Sequence, residues 1–529
     1  MQFSVSSSLL IPALAAGFAC GPARSGGLTP ATAGPAAHLV DTLTLRAAAS
    51  FLASDALLGR GTGTPGGRAA AAYLASECRR LGFEPLAAPN YVQELPLTQA
   101  TIVPAGTTIR ITGPGIDTTF THWEDFVPDV GTARTLREFS GELAYVGRAR
   151  EILFRRSDLP PLRGKVALLR SEFGRDGEAA DTLFARGAVG VIQVIDDARR
   201  YRLFRQTRGE SRLYLGDSAI RSSFIPPLPA VLAGPRMTVT LYKPLTGVGS
   251  GSWNDAYLNG LAAGLPSPRD LPGWRAEVRI ESRTAPVRAG NVICVLRGRG
   301  PAAEHAIVVS AHYDHLGVGV PNGAGDSIYN GFSDNAAGVA MALGVGEAFA
   351  RGGRLDHSLI LFFSTGEEHG LLGSDYFVNH PPWPLQRLAG VINLDANAPA
   401  ARPSSWRIAG AEGSALVELV RREAQREGWE ATLAPPSPGS DYYPFVRHGV
   451  PAVFFVPGDG PYEGLSVTTS DSMRSALWGR YHMQDDEWDE HFPFEGLGRY
   501  ADFVIEVIRR MDGYRDSSGT SRTGPGGNR

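Results

Sequence analysis

Three apolar runs in this sequence each end at side chains that can bind a metal ion or move a proton. The runs cover residues 307–311, 359–363 and 391–394. The side chains that follow them are, in order, His312 and Asp314, Glu367 and Glu368, and Asp395. Short β-branched and aromatic runs of this kind predict strands buried on both faces of a parallel sheet. Because ligands gather at the carboxyl ends of such strands, we expect these side chains to meet at one edge.

The spacing within these clusters indicates a division of roles. His312 and Asp314 are two residues apart at a strand end, so their side chains can project to the same side. His312 can then bind a metal while Asp314 holds its imidazole in the required tautomer. Glu367 and Glu368 are adjacent, so in an extended segment they point in different directions. One can bind metal while the other faces a substrate.

A fourth polar cluster lies between the first two runs. It covers residues 331–338, contains Asp334, and opens a run of small residues that predicts a helix through Ala350. Together the four clusters predict a metallohydrolase site, with the rest of the chain as its support.

Length and charge narrow the class of protein. A chain of 529 residues is long for one hydrophobic core, so we expect two folded units or one unit with a large insertion. The formal net charge of -3 provides no basic field, which argues against nucleic acid as a partner.

The N-terminus predicts export. Leu9 to Ala19 is an apolar run too short to span a bilayer comfortably, as in a secretory signal. Cys20 stands where a bacterial lipoprotein carries its lipid, so we expect either membrane attachment through Cys20 or simple cleavage, with a misassigned start as the third alternative. Each of the first two places the protein outside the cytoplasm, as a periplasmic, membrane-anchored or secreted protein.

The other two cysteines leave two alternatives open. Cys78 falls in a predicted helix and Cys294 in a predicted strand. Buried free thiols pack as small hydrophobes. A disulfide between them is the alternative in an oxidising compartment, although no spacing brings them together.

A central stretch of the chain resembles the protease-associated domain, a small β-rich module inserted into peptidases. Predicted strands at 141–147, 164–170 and 187–194, with a helix at 178–186, carry this resemblance. The predicted organisation, in chain order, is a signal or lipoprotein-like segment at 1–20, a linker at 21–37, a first peptidase part at 38–124, a protease-associated insert at 125–245, a second peptidase part at 246–511 and a disordered tail at 512–529. Residues 274–282 and 291–296 predict two strands that return to the main sheet.

The ordered set of motifs resembles peptidase family M28, the dizinc aminopeptidases, from about residue 38 to 511. The motifs are HYDHLG at 312–317, SDNAAG at 333–338, GEEHGLLGS at 366–374, NLD at 393–395 and YH at 481–482, with LGRGTGTPGG at 58–67 and SDYYPF at 440–445. The resemblance implies a phosphorylase/hydrolase-like fold, with three α/β/α layers around a mixed, mostly parallel sheet.

The resemblance also implies a site with two Zn²⁺ ions. Asp334 would bridge the ions, His312 and Asp395 would complete one, and Glu368 and His482 the other. Glu367 would be the general base, Asp314 would orient His312, and Tyr481 would polarise the developing oxyanion.

The charge balance supports this ligand set independently. Two Zn²⁺ ions and three carboxylate ligands leave one net positive charge, which suits a bound hydroxide. Nitrogen and oxygen ligands without thiolate are typical of catalytic zinc. The expected function is removal of N-terminal residues from peptides by this hydroxide. His315 and His369 are expected to line the site or pack, and Asp486 to make a structural hydrogen bond.

Other functions on the same scaffold stay open. A carboxypeptidase or a glutaminyl cyclase would share the site, and the family also includes receptor-like members without metal ligands. All five ligands and the base are present here, which argues against the last alternative. Side-chain preference, oligomeric state and the role of the insert are not determined by the sequence.

Overall fold

The computed structural model describes residues 39–513 with several gaps. The gaps are 88, 131–135, 155–157, 172–175, 196–200, 203, 206–209, 217–219, 221, 224–228, 247–266 and 396–397. The predicted signal, Cys20, the linker and most of the predicted tail therefore lie outside the described residues. No helix within the described ranges is long and apolar enough to cross a bilayer.

The described ranges contain helices on both sides of a large sheet. The helices are Thr42–Leu52 (α1), Pro65–Arg80 (α2), Ala149–Phe154 (α3), Asp176–Ala185 (α4), Pro235–Thr246 (α5), Ala337–Gly352 (α6), Leu372–Asn379 (α7), Ala415–Arg426 (α8), Tyr442–Arg447 (α9), Val467–Arg480 (α10) and Glu495–Met511 (α11).

The strands follow the same numbering. They are Glu84–Pro85 (β1), Val92–Ile102 (β2), Thr108–Gly113 (β3), Ile116–Thr121 (β4), Phe126–Val130 (β5), Leu136–Arg148 (β6), Val166–Arg170 (β7), Gly190–Val194 (β8), Ser211–Leu215 (β9), Pro229–Ala233 (β10), Arg269–Leu296 (β11), Ala306–His312 (β12), Gly317–Val318 (β13), Ile328–Tyr329 (β14), Ser358–Ser364 (β15), Leu388–Asn393 (β16), Ser405–Gly410 (β17), Glu430–Ala434 (β18) and Ala452–Pro457 (β19).

The main sheet is mixed and mostly parallel in its centre. β12 pairs in parallel with β15 on one side and with β16 on the other, and β16 continues in parallel to β19. The end of β11 pairs antiparallel with β15, and β17 pairs antiparallel with β19. The expected α/β fold class is confirmed, because such a sheet with helices on both faces is what the motifs predict.

Alternating side chains of the central strands pack against the two helical layers. Val309 and Leu361 belong to the hydrophobic cluster that includes α1, α6 and α11. Their neighbours Val308 and Ile360 belong to the cluster that includes α7 and α9. This alternation follows from the two-residue period of a strand, and it explains why β12 and β15 are buried along their whole length.

A second sheet is built on the first half of β11. It contains β3 to β8 and β10, with β6, β7, β8 and β10 parallel to one another. The expectation of separate strands at 274–282 and 291–296 is wrong, because residues 282–292 pair continuously with β2 and β11 passes from one sheet to the other. The second sheet also includes β3 and β4, which precede residue 125. The boundaries and the protease-associated character of the insert stay predictions.

Cys78 and Cys294 form a disulfide in the structure. The bond joins α2 to β11, with the Cα atoms 6.3 Å apart, and both residues are fully buried. The free-thiol expectation is therefore wrong. The sequence could not reveal the pairing, since the two residues meet only when α2 packs against the sheet. A crosslink of this kind typically stabilises a domain by about 2–4 kcal/mol, chiefly by restricting the unfolded chain.

The described part of the predicted insert contacts the helices beside the main sheet. The Ser223 backbone N–H and hydroxyl donate to the carboxylate of Asp375 in α7, at 2.7 and 2.5 Å. The Tyr443 hydroxyl in α9 donates to the carboxylate of Glu178 in α4. These contacts connect the second sheet and its helices to the main domain.

The stability of the folded protein is expected to depend on pH through Asp375. Burial raises the pKa of Asp375 to about 7, above the value near 4 of an unfolded chain. Between these values the folded protein holds a proton that the unfolded chain has lost, so stability falls as pH rises. Asp375→Asn lacks this titration. The stability of Asp375→Asn minus that of the wild type should therefore increase from pH 5 to pH 8, by on the order of 2 kcal/mol.

Urea unfolding of both proteins at pH 5 and pH 8 measures this change. The exposed Asp471 of α10, which pairs with Arg474, offers a control for the change from aspartate to asparagine itself. A difference between Asp375→Asn and wild type that stays constant with pH would contradict the prediction.

Candidate metal centre

Asp334 lies between two histidines. Its Oδ1 atom is 3.1 Å from Nε2 of His312, and its Oδ2 atom is 2.9 Å from Nε2 of His482. Both imidazoles therefore turn the same ring nitrogen toward one carboxylate, each toward a different oxygen. This is the arrangement that the sequence predicts for a bridging ligand.

Each histidine has a further carboxylate nearby. Nε2 of His312 is 3.2 Å from Oδ1 of Asp395, and Nε2 of His482 is 3.1 Å from Oε2 of Glu368. The donor atoms form two groups of potential metal ligands that share Asp334, and a third group joins His312 to Glu367 and Glu368. The atoms of each group lie within 4.8 Å of one another. The structure thus brings all five predicted ligands together, and their roles stay predictions.

The sheet explains how residues distant in sequence reach this point. His312 ends β12, and Asp395 follows β16 by two residues. Glu367 and Glu368 follow the end of β15. Because these three strands are parallel neighbours, their carboxyl ends share one edge of the sheet, as predicted.

The remaining two ligands come from outside the strands. Asp334 lies in the irregular turn Phe332–Ala336 before α6, and its peptide bond to Asn335 is cis. The Asn335 side chain donates to the carbonyl of Leu394 at 2.8 Å, which ties this turn to the end of β16. His482 follows α10 by two residues, with a left-handed backbone conformation (φ 56°).

The donor set fits a metal ion. Nε2 of His482 is buried and makes no hydrogen bond of acceptable geometry with any described residue, although two carboxylate oxygens lie within 3.1 Å. A buried nitrogen without a hydrogen bond is costly unless another partner satisfies its lone pair. Imidazole nitrogens and carboxylate oxygens are typical ligands of Zn²⁺.

Comparison with known proteins identifies the domain that carries this site. Residues 291–508 match the model of Peptidase family M28. This part of the chain is an M28 peptidase domain. This confirms the resemblance that the motifs indicate, including the metallopeptidase class at the level of the family.

Two solved aminopeptidase structures are similar to this chain. The aminopeptidase from Aneurinibacillus sp. strain AM-1 superposes with a TM-score of 0.51 at 18% identity, covering 89% of this chain and 94% of that chain. A zinc aminopeptidase from Bacillus subtilis gives a TM-score of 0.47 at 18% identity, over 89% of this chain and 95% of that chain. The first likeness supports a common fold.

Sequence relatives match over a shorter stretch. A vacuolar membrane protease of Candida dubliniensis is 29% identical over 119 residues, which is 22% of this chain and 11% of that protein. A vacuolar membrane protease of Eremothecium gossypii is 26% identical over 144 residues, 27% of this chain and 13% of that protein. The match therefore spans little more than a tenth of the length of these relatives.

Asp314 supports the M28 site through its backbone as well as its side chain. Nδ1 of His312 is 3.1 Å from the carbonyl oxygen of Asp314 and 3.9 Å from its carboxylate. A proton on Nδ1 that is donated to this carbonyl leaves Nε2 free as a ligand. The carboxylate accepts hydrogen bonds from the Thr62 hydroxyl at 2.7 Å and the Glu367 N–H at 3.4 Å. Asp314 thus contacts both the ligand His312 and the predicted base.

Burial and neighbouring charges control the ionisation of the site. Burial raises the pKa of Glu367 well above its ordinary value, and the charges of Asp395 and Glu368 act in the same direction. Burial favours the neutral ring of His482, but the Glu368 and Asp334 carboxylates outweigh it and raise the pKa of His482 to about 10. The carboxylates stabilise positive charge at this point, as a cation site requires.

Tyr481 is placed beside the second group of ligands. Its ring stacks on that of His482, with centroids 3.9 Å apart. Burial raises the pKa of Tyr481 well above its ordinary value, with the surrounding carboxylates as a second cause. The hydroxyl therefore keeps its proton at neutral pH and can donate a hydrogen bond, which its predicted role needs.

Several contacts of the site were not predicted from the sequence. His315 was expected to line the site or pack. In the structure it contacts a predicted ligand directly, because its Nδ1 atom lies 2.7 Å from Oε1 of Glu368. The Ser440 hydroxyl donates to Asp395, and the buried Asp441 accepts from Ser364 and Ser374. The SDYYPF motif was the available signal for Ser440 and Asp441.

Asp486 makes the structural hydrogen bonds expected of it. Its carboxylate accepts from the backbone N–H groups of Ser333 and Asp334, at 3.0–3.1 Å. Its carbonyl accepts from the N–H of Phe332 at 2.9 Å. Asp486 thereby holds the turn that presents Asp334.

Proposed function

We propose that this protein is an exported zinc-dependent aminopeptidase that removes N-terminal residues from peptides. The observation that carries the proposal is the placement of Asp334, whose two carboxylate oxygens face different histidines in two buried groups of ligands. The match of residues 291–508 to Peptidase family M28 and the position of Glu367 near His312 and Glu368 support it.

Two Zn²⁺ ions would be held by five residues. His312 and Asp395 would complete one ion, Glu368 and His482 the other, and Asp334 would contact both. Bound zinc supplies Lewis acidity, which polarises the scissile carbonyl and makes water a stronger acid.

Glu367 is the group that moves protons in this proposal. Its carboxylate accepts a proton from the attacking water and then delivers it to the nitrogen of the leaving amine. The half-buried position of Glu367 favours this role, because its raised pKa lets the carboxylate hold a transferred proton more readily. Its backbone N–H donates to the carboxylate of Asp314, and this bond fixes the backbone of Glu367 relative to the end of β12.

Tyr481 and Asp314 assist without moving a proton. The Tyr481 hydroxyl donates to the carbonyl oxygen of the scissile bond as negative charge develops there. Asp314 keeps His312 in the tautomer whose Nε2 atom faces Asp334 and Asp395. Asp314 contacts His312, whereas the Tyr481 ring stacks on His482.

Export is part of the proposal. The buried disulfide between Cys78 and Cys294 fits an oxidising compartment, where such bonds persist. The apolar run before Cys20 fits a signal that is cleaved or lipid-modified. Mass spectrometry of the mature N-terminus in fractionated cells tests this point, and an intact Met1 in the cytoplasmic fraction would contradict it.

A panel of aminoacyl amides and short peptides, assayed with and without chelator, tests the proposed activity. We expect hydrolysis of substrates with a free N-terminus, and loss of activity in the chelator that returns with added Zn²⁺. Matched peptides blocked at the N-terminus should resist cleavage, while those blocked at the C-terminus should be cleaved. The reverse preference would indicate a carboxypeptidase. Cyclisation of N-terminal glutamine would indicate a glutaminyl cyclase, and an inactive protein that binds no zinc would indicate a binding function.

A further inference from the structure

Arg60 is a buried cation close to the metal centre. Its side chain is only 1% exposed, and it forms no ion pair among the residues that the structure describes. It ends the short helical turn Asp55–Arg60, in which Leu58, Gly59 and Arg60 all have positive φ angles. A Cβ atom at Gly59 would lie 2.4 Å from the carbonyl oxygen of Tyr329, so the turn fits closely against the main domain.

The guanidinium of Arg60 donates its hydrogen bonds to backbone carbonyls. Nε donates to Tyr313 at 2.9 Å, Nη1 to Asn330 at 2.6 Å and Nη2 to Gly331 at 2.9 Å. Nη1 also donates to Leu52, the last residue of α1. Buried carbonyls without donors are costly, so one side chain satisfies groups from three separate segments.

Two of these segments carry predicted metal ligands. Tyr313 lies between His312 and Asp314, and Gly331 begins the turn that presents Asp334. Arg60 thus connects the segment of a ligand from one group to the segment of the bridging carboxylate. The planar fork of arginine can reach several acceptors at fixed angles, which a lysine ammonium cannot reproduce.

The charge of Arg60 acts on the same carboxylates. Burial lowers the pKa of Arg60 to about 10, and the charges of Asp334, Asp486, Asp314 and Glu368 oppose this lowering, so the side chain stays cationic at neutral pH. Its hydrogen bonds nevertheless go to carbonyls rather than to carboxylates. The positive charge offsets repulsion among the ligands while their oxygen atoms stay available to a metal ion.

We infer that Arg60 is a positioning residue for the metal centre, which holds the His312 and Asp334 segments at the separation that two ions require. The inference rests on the proposed function. A residue that only stabilised the fold would lower stability without changing the affinity of the folded protein for Zn²⁺.

Arg60→Lys tests the inference, because it keeps the charge and removes the fork. Arg46→Lys is the matched control, since Arg46 also donates to two carbonyls, those of Glu490 and Phe492, in a segment that carries no predicted ligand. Zn²⁺ affinity is measured by competition with a chromogenic chelator, alongside circular dichroism and steady-state kinetics. We expect Arg60→Lys to bind Zn²⁺ about 10–100-fold more weakly, as for other residues that orient ligands, with kcat reduced more than KM is changed. Arg46→Lys should keep wild-type affinity.

A second variant covers the case in which Arg60→Lys does not fold. The Asn330 side chain donates to the carbonyl of Ala53 and to Asp55, and so ties the same loop to the end of α1 without contacting Arg60 through its side chain. Asn330→Ala should weaken Zn²⁺ binding by about 3–10-fold, the lower end of the effect expected of such supporting contacts.

The outcomes separate the inference from the proposed function. Wild-type affinity in folded Arg60→Lys, or in Asn330→Ala when Arg60→Lys does not fold, would overturn the role of Arg60 alone. An equal loss of affinity in Arg46→Lys would also overturn it. Wild-type protein that binds no Zn²⁺ would overturn the proposed function, and the inference with it.

Discussion

Glu367→Gln is expected to keep its zinc and to lose most of its peptidase activity. Glutamine has the same shape as glutamate but cannot accept a proton, so the attacking water loses its base and the leaving amine its acid. General acid–base catalysis contributes about 10²–10⁴-fold to such reactions, and we expect kcat to fall within this range. The zinc should be retained, because the two groups that share Asp334 are complete without Glu367, which lies with His312 and Glu368 in the third group.

The neighbouring glutamate provides the matched control. Glu368→Gln makes the same chemical change one residue further along, at a side chain 3.1 Å from His482. It should lose zinc together with activity, whereas Glu367→Gln should lose activity alone. Zinc per chain by elemental analysis and kcat on an aminoacyl amide distinguish the two. Unchanged turnover by Glu367→Gln, or loss of its zinc, would contradict the assignment of Glu367 as the base.

The part of the site that lies at the sheet edge could be predicted from local sequence. Runs such as 359–363 are apolar throughout, so they fit only strands covered on both faces, and β12 and β15 are buried at every residue. Parallel pairing then places the residues after each run side by side. His312, Glu368 and Asp395 follow from this reasoning, and the structure brings them to one edge.

Residues outside the central strands could not be placed in this way. His482 follows α10, which has only Ser470 buried, so its own helix shows no pattern that directs it to the sheet edge. Family motifs predicted its role, and the contact with Asp334 depends on how the C-terminal part folds back. Arg60 was recognised only as part of a motif, because its carbonyl partners are backbone atoms that carry no sequence signal.

Strand pairing between segments that are distant in sequence could not be predicted either. Residues 283–290, between the two predicted strands, include Pro286 and two arginines. In the structure Pro286 pairs with Thr98 of β2, and the ladder runs through it without interruption. The disulfide between Cys78 and Cys294 could not be predicted for the same reason, since the two residues meet only where α2 packs against β11.

The bridging carboxylate predicts the second large effect. Asp334→Asn should reduce zinc from two ions per chain to one or none, and should abolish detectable hydrolysis. Asparagine replaces one carboxylate oxygen by an NH₂ group, which donates hydrogen bonds and cannot bind a cation. Since Oδ1 and Oδ2 of Asp334 face His312 and His482 respectively, whichever oxygen is replaced removes a ligand from one ion. The variant also loses the negative charge that both ions share.

Asp486→Asn separates the loss of ligand atoms from disturbance of the turn that holds them. Asp486 accepts from the backbone N–H groups of Ser333 and Asp334 and contributes no atom to either group of ligands. Its amide variant keeps one oxygen acceptor, so we expect two zinc ions per chain with weaker affinity, by about 10-fold for a supporting contact. Titration of each apoprotein with Zn²⁺ gives both stoichiometry and affinity. Two tightly bound ions in Asp334→Asn would contradict the bridging role, whereas equal losses in the two variants would show that the shape of the turn, rather than the bridging oxygens, controls binding.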